Sequence, residues 1–314
     1  MVPFVDLRPQ TRELQTDLIA ATTRVLDSGV YLNGAEVEAF EREYAAYCGM
    51  DHCVACASGT DALTLMGEAS TEVAFKIQAN TCLWTERGLL HAGHVHIVDC
   101  DRDGRCPNYE TDGDGILVPV LLYGAWDSSW VEPTARYIDG CQAHGYKPKH
   151  WQTVAFSFYP TKALGGPGDG GCLVTNQISV MSLAREYGHR MHSRMSELTA
   201  AILRVKLKRL DDWNAERNRL ATIYRNYLPQ HVTPGVYYEW TSNYHLFPVL
   251  VENRDSVVAK MAEHGVETKV HYDEPLGDFV NANWWCERVL SLPLWIGMTE
   301  TDVRTVCDVL GDSL

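Results

Sequence analysis

Long apolar runs are missing from this chain. No stretch reaches the roughly 18 residues that a membrane-spanning helix needs. The start, "MVPFVDLRPQTREL", has no basic segment ahead of an apolar one, so neither a membrane partner nor a leader peptide is expected. Basic residues are scarce: 27 Lys and Arg stand against 41 Asp and Glu, for a formal net charge of -14. A surface of that sign repels a phosphate backbone, which argues against nucleic acid. A small phosphorylated ligand stays compatible, because local donors outweigh a distant field. Metal-binding spacing is lacking too. Cys53 and Cys56 form one CxxC without a second and without a nearby histidine pair, so strand packing is preferred to zinc. The 10 cysteines are scattered over 314 residues, too long a chain to need a disulfide framework. Free thiols and a cytoplasmic location are the expectation. The phosphate loop GxxxxGK[ST], internal repeats and low-complexity linkers are also absent.

What is present has the balance of a soluble globular protein, with 46% hydrophobic and 22% charged residues. "ELQTDLIAATTRVLDSG" and "GAEVEAFEREYAAYCG" have helical spacing and end at Gly29 and Gly49. "HCVACA" reads as a strand, and "SGTDALTLMGEA" as a turn opening a helix. "EVAFKI" and "HVHIVD" read as strands flanking a helix at "TERGLLHAG". "GILVPVLL", "ARYIDG", "QTVAFSF" and "GCLVT" are further short apolar runs. Strands alternating with helices predict an α/β fold with a mostly parallel sheet. "SELTAAILRVKLKRLDDWNAERNRLATIYRNYL" predicts one long amphipathic helix. Beyond it, "YHLFPVLV", "RDSVVAKMAEHG" and "ETKVHY" read as strand, helix, strand. "TETDVRTVCDVLGD" closes with a helix whose Thr299 and Asp302 form a capping-box pattern. The boundary is placed near residue 225, giving a large domain over 1–225 and a small C-terminal α+β domain over 226–314.

Three segments offer chemistry, each with a plain alternative. In "ASGTDAL", Gly59 lets the backbone approach a ligand, and Thr60 adds a hydroxyl at a helix N-terminus, which suits a phosphate. An ordinary helix cap explains the same residues. In "RYIDGCQAHG", Asp139 ends an apolar strand, where open α/β sheets bind ligands. A carboxylate there holds a ring nitrogen protonated, binds metal or caps a helix; Gln142 and His144 are nearby. In "AFSFYPTKALGGPGDGG", Lys162 follows a buried strand and precedes a glycine cluster. A lysine against apolar walls has a lowered pKa and becomes an amine nucleophile; a lysine on a surface loop is the common case. Together the three supply what pyridoxal phosphate requires: a phosphate cup, an acid for the ring nitrogen and an amine for the aldehyde.

The order and wording of these segments resemble the DegT/DnrJ/EryC1/StrS family of pyridoxal-phosphate sugar aminotransferases. The resemblance runs from "FVDLRPQ" and "SGVYLNGAEVEAFEREYA" through "ASGTDAL" and "PVLLYG" to "VLSLPLWIGMTETDV", and is densest at "IDGCQAHG" and "FSFYPTKALGGPGDGG". It implies fold type I, with a mostly parallel seven-stranded sheet in the large domain. It implies that Lys162 carries the cofactor as a Schiff base and that Asp139 pairs with the pyridine nitrogen. Gln142 falls beside the ring, and Gly59, Thr60 and Ser157 fall on the phosphate. It also implies a homodimer whose partner completes each site.

Departures from the family pattern are informative. Where the family places a stacking aromatic after the threonine of "NTCLWTERG", this chain has Cys82, with Trp84 two residues on. Trp84 either stacks on the cofactor in its stead or packs into apolar surroundings. Where an asparagine often reaches the partner's phosphate, the chain has His192, either a donor or a surface histidine. "HYDEPLGDFVNANWWCERVLSLPLW" is shortened and lacks the second histidine of the family's "HYxxPLH"; His271 and Tyr272 in it are assigned to substrate. The implied reaction moves an amino group from L-glutamate, or L-glutamine, to a keto-sugar carried on a nucleotide. The alternatives are a keto-cyclitol (inosose) aminotransferase and a non-catalytic regulator on the same fold. A sugar dehydratase is disfavoured, since such relatives replace the lysine that is present here as Lys162.

Overall fold

The N-terminal helices end where glycine permits. In a computed structural model that describes residues 1–106, 115–127, 129, 131, 135–236 and 241–314, α1 (Arg8–Glu13) carries Pro9 in its first turn, where a missing N–H costs nothing. α2 (Gln15–Ser28) stops at Gly29, φ 64°, and α3 (Ala35–Cys48) at Gly49, φ 74°. Both glycines adopt the left-handed closure that a residue without Cβ takes at little cost.

Strands and helices then alternate: β1 (His52–Cys56), α4 (Gly59–Glu68), β2 (Ala74–Gln78), α5 (Leu83–Leu90), β3 (His94–Val98), β4 (Ile116–Leu117) and β5 (Ala125–Trp126). β6 (Tyr137–Asp139), β7 (Thr153–Ser157), β8 (Gly171–Thr175) and α6 (Ile178–Arg190) follow. β1, β8, β7 and β6 form one hydrogen-bonded sheet, and β3, β2 and β4 another. A parallel bridge between Val120, just past β4, and Asp139 joins them into the order β1-β8-β7-β6-β4-β2-β3. β8 is antiparallel to both neighbours, whereas β7–β6, β4–β2 and β2–β3 are parallel. The mostly parallel seven-stranded sheet of fold type I is therefore present among the described residues. Every residue of β7 and β8 is buried, as expected of strands covered on both faces. Cys53 and Cys56 are buried in β1, and all ten cysteines are free thiols.

The predicted long helix is two. α7 (Glu197–Leu207) and α8 (Leu210–Tyr227) are separated at Lys208–Arg209, where Arg209 has φ -108° and its N–H bonds Lys206 three residues back. The break has a tertiary cause, not a glycine or proline. Arg209 reaches Glu13 on α1 at 2.8 Å, while Leu210 turns into the core at 0% exposure. Beyond α8 come β9 (Thr233–Pro234), β10 (Thr241–Ser242), β11 (Phe247–Leu250), α9 (Arg254–Glu263), α10 (Val280–Arg288), β12 (Val289–Leu292) and α11 (Glu300–Ser313). β12, β11 and β9 make an antiparallel sheet. Leu220, Ala221 and Tyr224 of α8 share a core with Phe247, Val249, Leu290 and Val306 from these elements. The capping box at Thr299 is formed, with its side chain accepting from Asp302 N–H and the Asp302 side chain accepting from Thr299 N–H. "ETKVHY" is not a strand. It contributes a single bridge, Lys269 to Ser291 on the open edge of β12, and Val266 just before it bridges to Val2.

Candidate active site

The site forms where three connections leave the same edge of the sheet. β6 ends at Asp139 and its parallel neighbour β7 ends at Ser157, with Asp139 in register with Ala155. Lys162 lies five residues beyond the end of β7, on the loop whose Gly166 N–H bonds Phe158 O and whose Lys162 N–H bonds Tyr159 O. β1 turns at Ser58 into α4, which packs on β7 and β8. A cavity of about 640 Å³ lies between them, and Gly59, Thr60, Cys82, Trp84, Thr85, Asp139, Gln142, Ser157, Lys162 and Tyr272 line it.

The α4 end is shaped for an anion. Ser58 caps the helix by accepting from Asp61 N–H at 3.0 Å, which leaves the N–H groups of Gly59 and Thr60 without a bond among the described residues. A Cβ on Gly59 would lie 2.6 Å from Ser157 Cβ, so only glycine lets this turn seat against the end of β7. A Cβ on Gly171 of β8 would meet Ser58 O at 2.1 Å, which gives the later glycine of the Lys162 segment its task. Asp61 accepts from Ser193 Oγ at 2.6 Å, and Ser193 accepts from Ala57 N–H, so the turn is tied to the 188–196 segment.

Across the cavity, Asp139 is 3% exposed and accepts two hydrogen bonds, Thr85 Oγ1 to Oδ2 at 2.7 Å and Cys141 N–H to Oδ1 at 2.9 Å. Both partners donate to a carboxylate, which keeps Asp139 oriented. Lys162 is partly buried, and its Nζ has no hydrogen-bond partner among the described residues. Burial pulls its pKa below the usual lysine value, against the opposing pull of Cys141 and Asp139. Gln142 Oε1 accepts from Tyr123 N–H at 2.6 Å and its Nε2 donates to Tyr272 Oη at 3.2 Å, bridging the sheet edge to the C-terminal elements. Tyr123 holds a positive φ of 62°, and its Oη donates to His271 O.

Other sequence candidates separate. Trp84 lines the cavity and is 61% exposed in this chain: α5 presents it outward, at the rim. Cys82 lies beside Tyr272, whose hydroxyl pKa is raised by burial and by that thiol. His271 is turned away from the cavity, bonding Ser291 Oγ at 3.0 Å and stacking on Phe4. His192 is exposed, φ 54°, with Nδ1 3.0 Å from Arg194 Nη2, and does not line the cavity of its own chain. His144 is no metal ligand candidate. Its ring nitrogens pair with Tyr44 Oη and Ser157 O, each at 2.8 Å, between Phe156 and Phe158, and burial lowers its pKa to about 4. Thr85, Cys141 and Tyr159 line the cavity and Tyr123 N–H braces Gln142, though the sequence reading gave none of the four a role.

A cup of free N–H groups, a fixed carboxylate and an unpaired amine around one cavity fit a planar phosphorylated aldehyde with a ring nitrogen. The sequence profile of the DegT/DnrJ/EryC1/StrS aminotransferase family matches residues 12–86 and 138–311. A dTDP-3-amino-3,4,6-trideoxy-α-D-glucose transaminase of Streptomyces venezuelae is 33% identical, with 98% of this chain and 95% of that one covered. EryC1 of Saccharopolyspora erythraea, called an erythromycin biosynthesis sensory transduction protein, is 34% identical over 93% of this chain and 94% of its own. That alignment spans 351 positions, more than the 314 residues of this chain, so the relative carries segments that this chain lacks. The crystal structure of S. venezuelae DesV in complex with a ketimine intermediate superposes with a TM-score of 0.90 at 31% identity, over 99% of this chain and 98% of the other.

Proposed function

The chain belongs to the DegT/DnrJ/EryC1/StrS family of pyridoxal-phosphate-dependent aminotransferases, and we propose that it moves an amino group from L-glutamate to a nucleotide-linked keto-deoxysugar. The observation that carries this reading is the unpaired Lys162 amine facing Asp139 and the α4 N-terminus across one cavity. The cofactor, when bound, supplies an electron sink for a carbanion next to nitrogen. In this reading Lys162 Nζ is the amine that would hold it. When a donor amine occupies the site, Lys162 Nζ would be the base placed to take and return the donor Cα proton. Asp139 holds the proton of the ring nitrogen, with Thr85 and Cys141 N–H fixing the carboxylate. The N–H groups of Gly59 and Thr60 and the hydroxyls of Thr60 and Ser157 take the phosphate. Gln142 and Tyr272 border the ring.

The keto-sugar acceptor is supported by the relative named a dTDP-3-amino-3,4,6-trideoxy-α-D-glucose transaminase. A homodimer is part of the proposal. Val30, Tyr31 and Leu32 are exposed apolar residues, and Leu32 bridges to Ser196 close to His192. That apolar strip would be covered by a second copy, placing His192 toward the partner's phosphate. The two-domain division at about residue 225 belongs to the same reading. The test is to add pyridoxal phosphate, follow the visible absorbance, and offer L-glutamate with a dTDP-keto-deoxysugar. Amination of an inosose in preference to the nucleotide sugar would replace the proposed acceptor. Cofactor binding with no transfer to any keto acceptor would favour a regulator.

A further inference from the structure

Residues from three distant parts of the chain close a ring of hydrogen bonds at the edge of the active-site cavity. Tyr123 N–H donates to Gln142 Oε1 at 2.6 Å, and Gln142 Nε2 donates to Tyr272 Oη at 3.2 Å. Tyr123 Oη donates to the carbonyl of His271, next to Tyr272, at 2.8 Å, and accepts from Trp285 Nε1 at 3.0 Å. The directions follow from what each group is able to do. A backbone N–H only donates, so the Gln142 atom facing it is the oxygen, and the atom facing Tyr272 is the nitrogen. An amide nitrogen only donates, so Tyr272 Oη is the acceptor of that bond and its own proton is left over. Gln142 and Tyr272 both line the cavity, and the Tyr272 hydroxyl stands near Cys82 and Asp139, which line it too. Burial raises the Tyr272 pKa well above the usual tyrosine value, with Cys82 acting in the same direction, so the proton stays on the oxygen. The Cys82 sulfur beside it is only a weak acceptor.

Pyridoxal phosphate has an acceptor for that proton. Its phenolic oxygen, its aldehyde and its phosphate arm sit on three adjacent ring carbons, with the aldehyde in the middle. Lys162 takes the aldehyde and the α4 N-terminus takes the phosphate, so the oxygen falls on the side of the amine away from α4. The other polar groups around the cavity are engaged or turned outward. Thr85 is spent on Asp139 and Asp61 on Ser193, while Tyr159 and Asp169 are exposed. We propose that Tyr272 Oη donates its hydrogen bond to this phenolic oxygen, held in place by Gln142 and Tyr123, and so favours the ionised oxygen. The proposal rests on the aminotransfer reading above and goes beyond it, because it sets how readily the lysine-bound cofactor takes up a proton. The second N–H of Gln142 Nε2 is the rival donor. That planar amide is fixed at both ends, whereas a hydroxyl proton turns about its C–O bond to meet an acceptor. An O–H donor to an ionised oxygen also makes the shorter bond.

Two readouts other than turnover test it: the pH titration of the bound cofactor's visible absorbance, and cofactor affinity. A donor to the ionised oxygen holds the titration midpoint down. Tyr272→Phe is therefore expected to raise the midpoint by about one pH unit or more, a tenfold or greater change. In the same variant pyridoxal phosphate is expected to bind about tenfold more weakly. 3-Deoxypyridoxal phosphate lacks the oxygen and is expected to bind wild type and Tyr272→Phe alike. An unmoved midpoint overturns the proposal, and so does an equal loss of affinity for both compounds, which marks a purely structural role. Gln142→Glu decides the matter if Tyr272→Phe fails to fold. Its carboxylate accepts from both Tyr123 N–H and Tyr272 O–H, drawing the hydroxyl proton off the ring, so the midpoint is expected to rise there too; no rise overturns the proposal. A rise in Gln142→Glu with none in Tyr272→Phe assigns the bond to the amide and likewise overturns it. Failure of wild-type protein to take up pyridoxal phosphate instead sinks the aminotransfer reading itself.

Discussion

Thr85 Oγ1 donates to Asp139 Oδ2 at 2.7 Å, which ties the first turn of α5 to the end of β6 across 54 residues of chain. The bond fixes the carboxylate that faces the Lys162 cavity. Thr85 is three residues from Cys82 and one from Trp84, and is 2% exposed, so the contact links a buried turn to the carboxylate.

Thr85→Val removes the donor without changing the side chain's shape. A hydrogen bond to a charged group is worth about 1.5–3 kcal/mol, and Asp139 keeps Cys141 N–H as its second partner. The expected result is a kcat reduced about tenfold, with an altered pH dependence of the bound cofactor's absorbance. Asp139→Asn is more severe, because one face of the amide donates toward a donor; a fall in kcat of about a hundredfold or more is expected. A Thr85→Val enzyme with unchanged absorbance titration would show that the bond only supports the fold, whereas restoration of the wild-type titration in Thr85→Ser would confirm the hydroxyl's role.

Lys162→Ala tests the amine itself. Removing a proton-transfer group costs about 10²–10⁴ in rate, and the covalent tether is lost as well. Turnover is expected to vanish, along with the visible absorbance of the lysine-bound cofactor. Full transamination by this variant would refute the assignment of Lys162.

Gly59→Ala probes the phosphate end. The new Cβ would sit 2.6 Å from Ser157 Cβ and 3.1 Å from Cys141 Sγ, so α4 must move away from β7. Cofactor affinity measured by absorbance titration is expected to fall at least tenfold, about 1.4 kcal/mol. Unaltered affinity would mean that the turn can shift without disturbing the cup.

The glycine stops of α2 and α3, the turn from β1 into α4 and the strand ends at Asp139 and Ser157 were all legible, because each is decided by a few neighbouring residues. The cup at Gly59 was legible for the same reason. The Thr85–Asp139 bond, the positive φ of Tyr123 held by Gln142 and the break at Lys208–Arg209 were not. Each depends on a partner far along the chain, and a threonine or arginine has no local pattern that announces such a partner. Arg217 was hidden more fully. It reads as one more polar position on an amphipathic helix, and only packing against Tyr244 and Leu294 reveals it as buried.

His144 makes stability depend on pH. Its pKa is lowered to about 4 by burial, with the Lys162 charge acting in the same direction and the bond to Ser157 O opposing. The unfolded chain takes up a proton near pH 6.5 that the native ring refuses. Its share of stability is therefore complete above pH 6.5 and is lost as pH falls toward 4, on the order of 3 kcal/mol over that window. His271, also lowered to about 4 by burial, adds loss of the same sign. Urea unfolding at pH 7 and pH 5 should show His144→Gln less stable than wild type at pH 7 but with a shallower decline. An equal decline would place the pH sensitivity elsewhere.

Trp84 discriminates stacking from packing. At 61% exposure it contributes little to the core, so Trp84→Ala is expected to change unfolding free energy by no more than about 0.5 kcal/mol. A tryptophan packed inside would cost about 3–5 kcal/mol on truncation. An aromatic contact with a bound ring is worth about 0.5–1.5 kcal/mol, so cofactor dissociation should rise two- to tenfold in the variant. Because Cys82 occupies the position directly after Thr81, Cys82→Phe in the Trp84→Ala background supplies an aromatic from the other side of the α5 turn. Recovery of affinity in the double variant would establish that this chain has moved its stacking group by two residues. A Trp84→Ala protein with wild-type affinity and wild-type stability would instead leave the cofactor ring covered by neither residue.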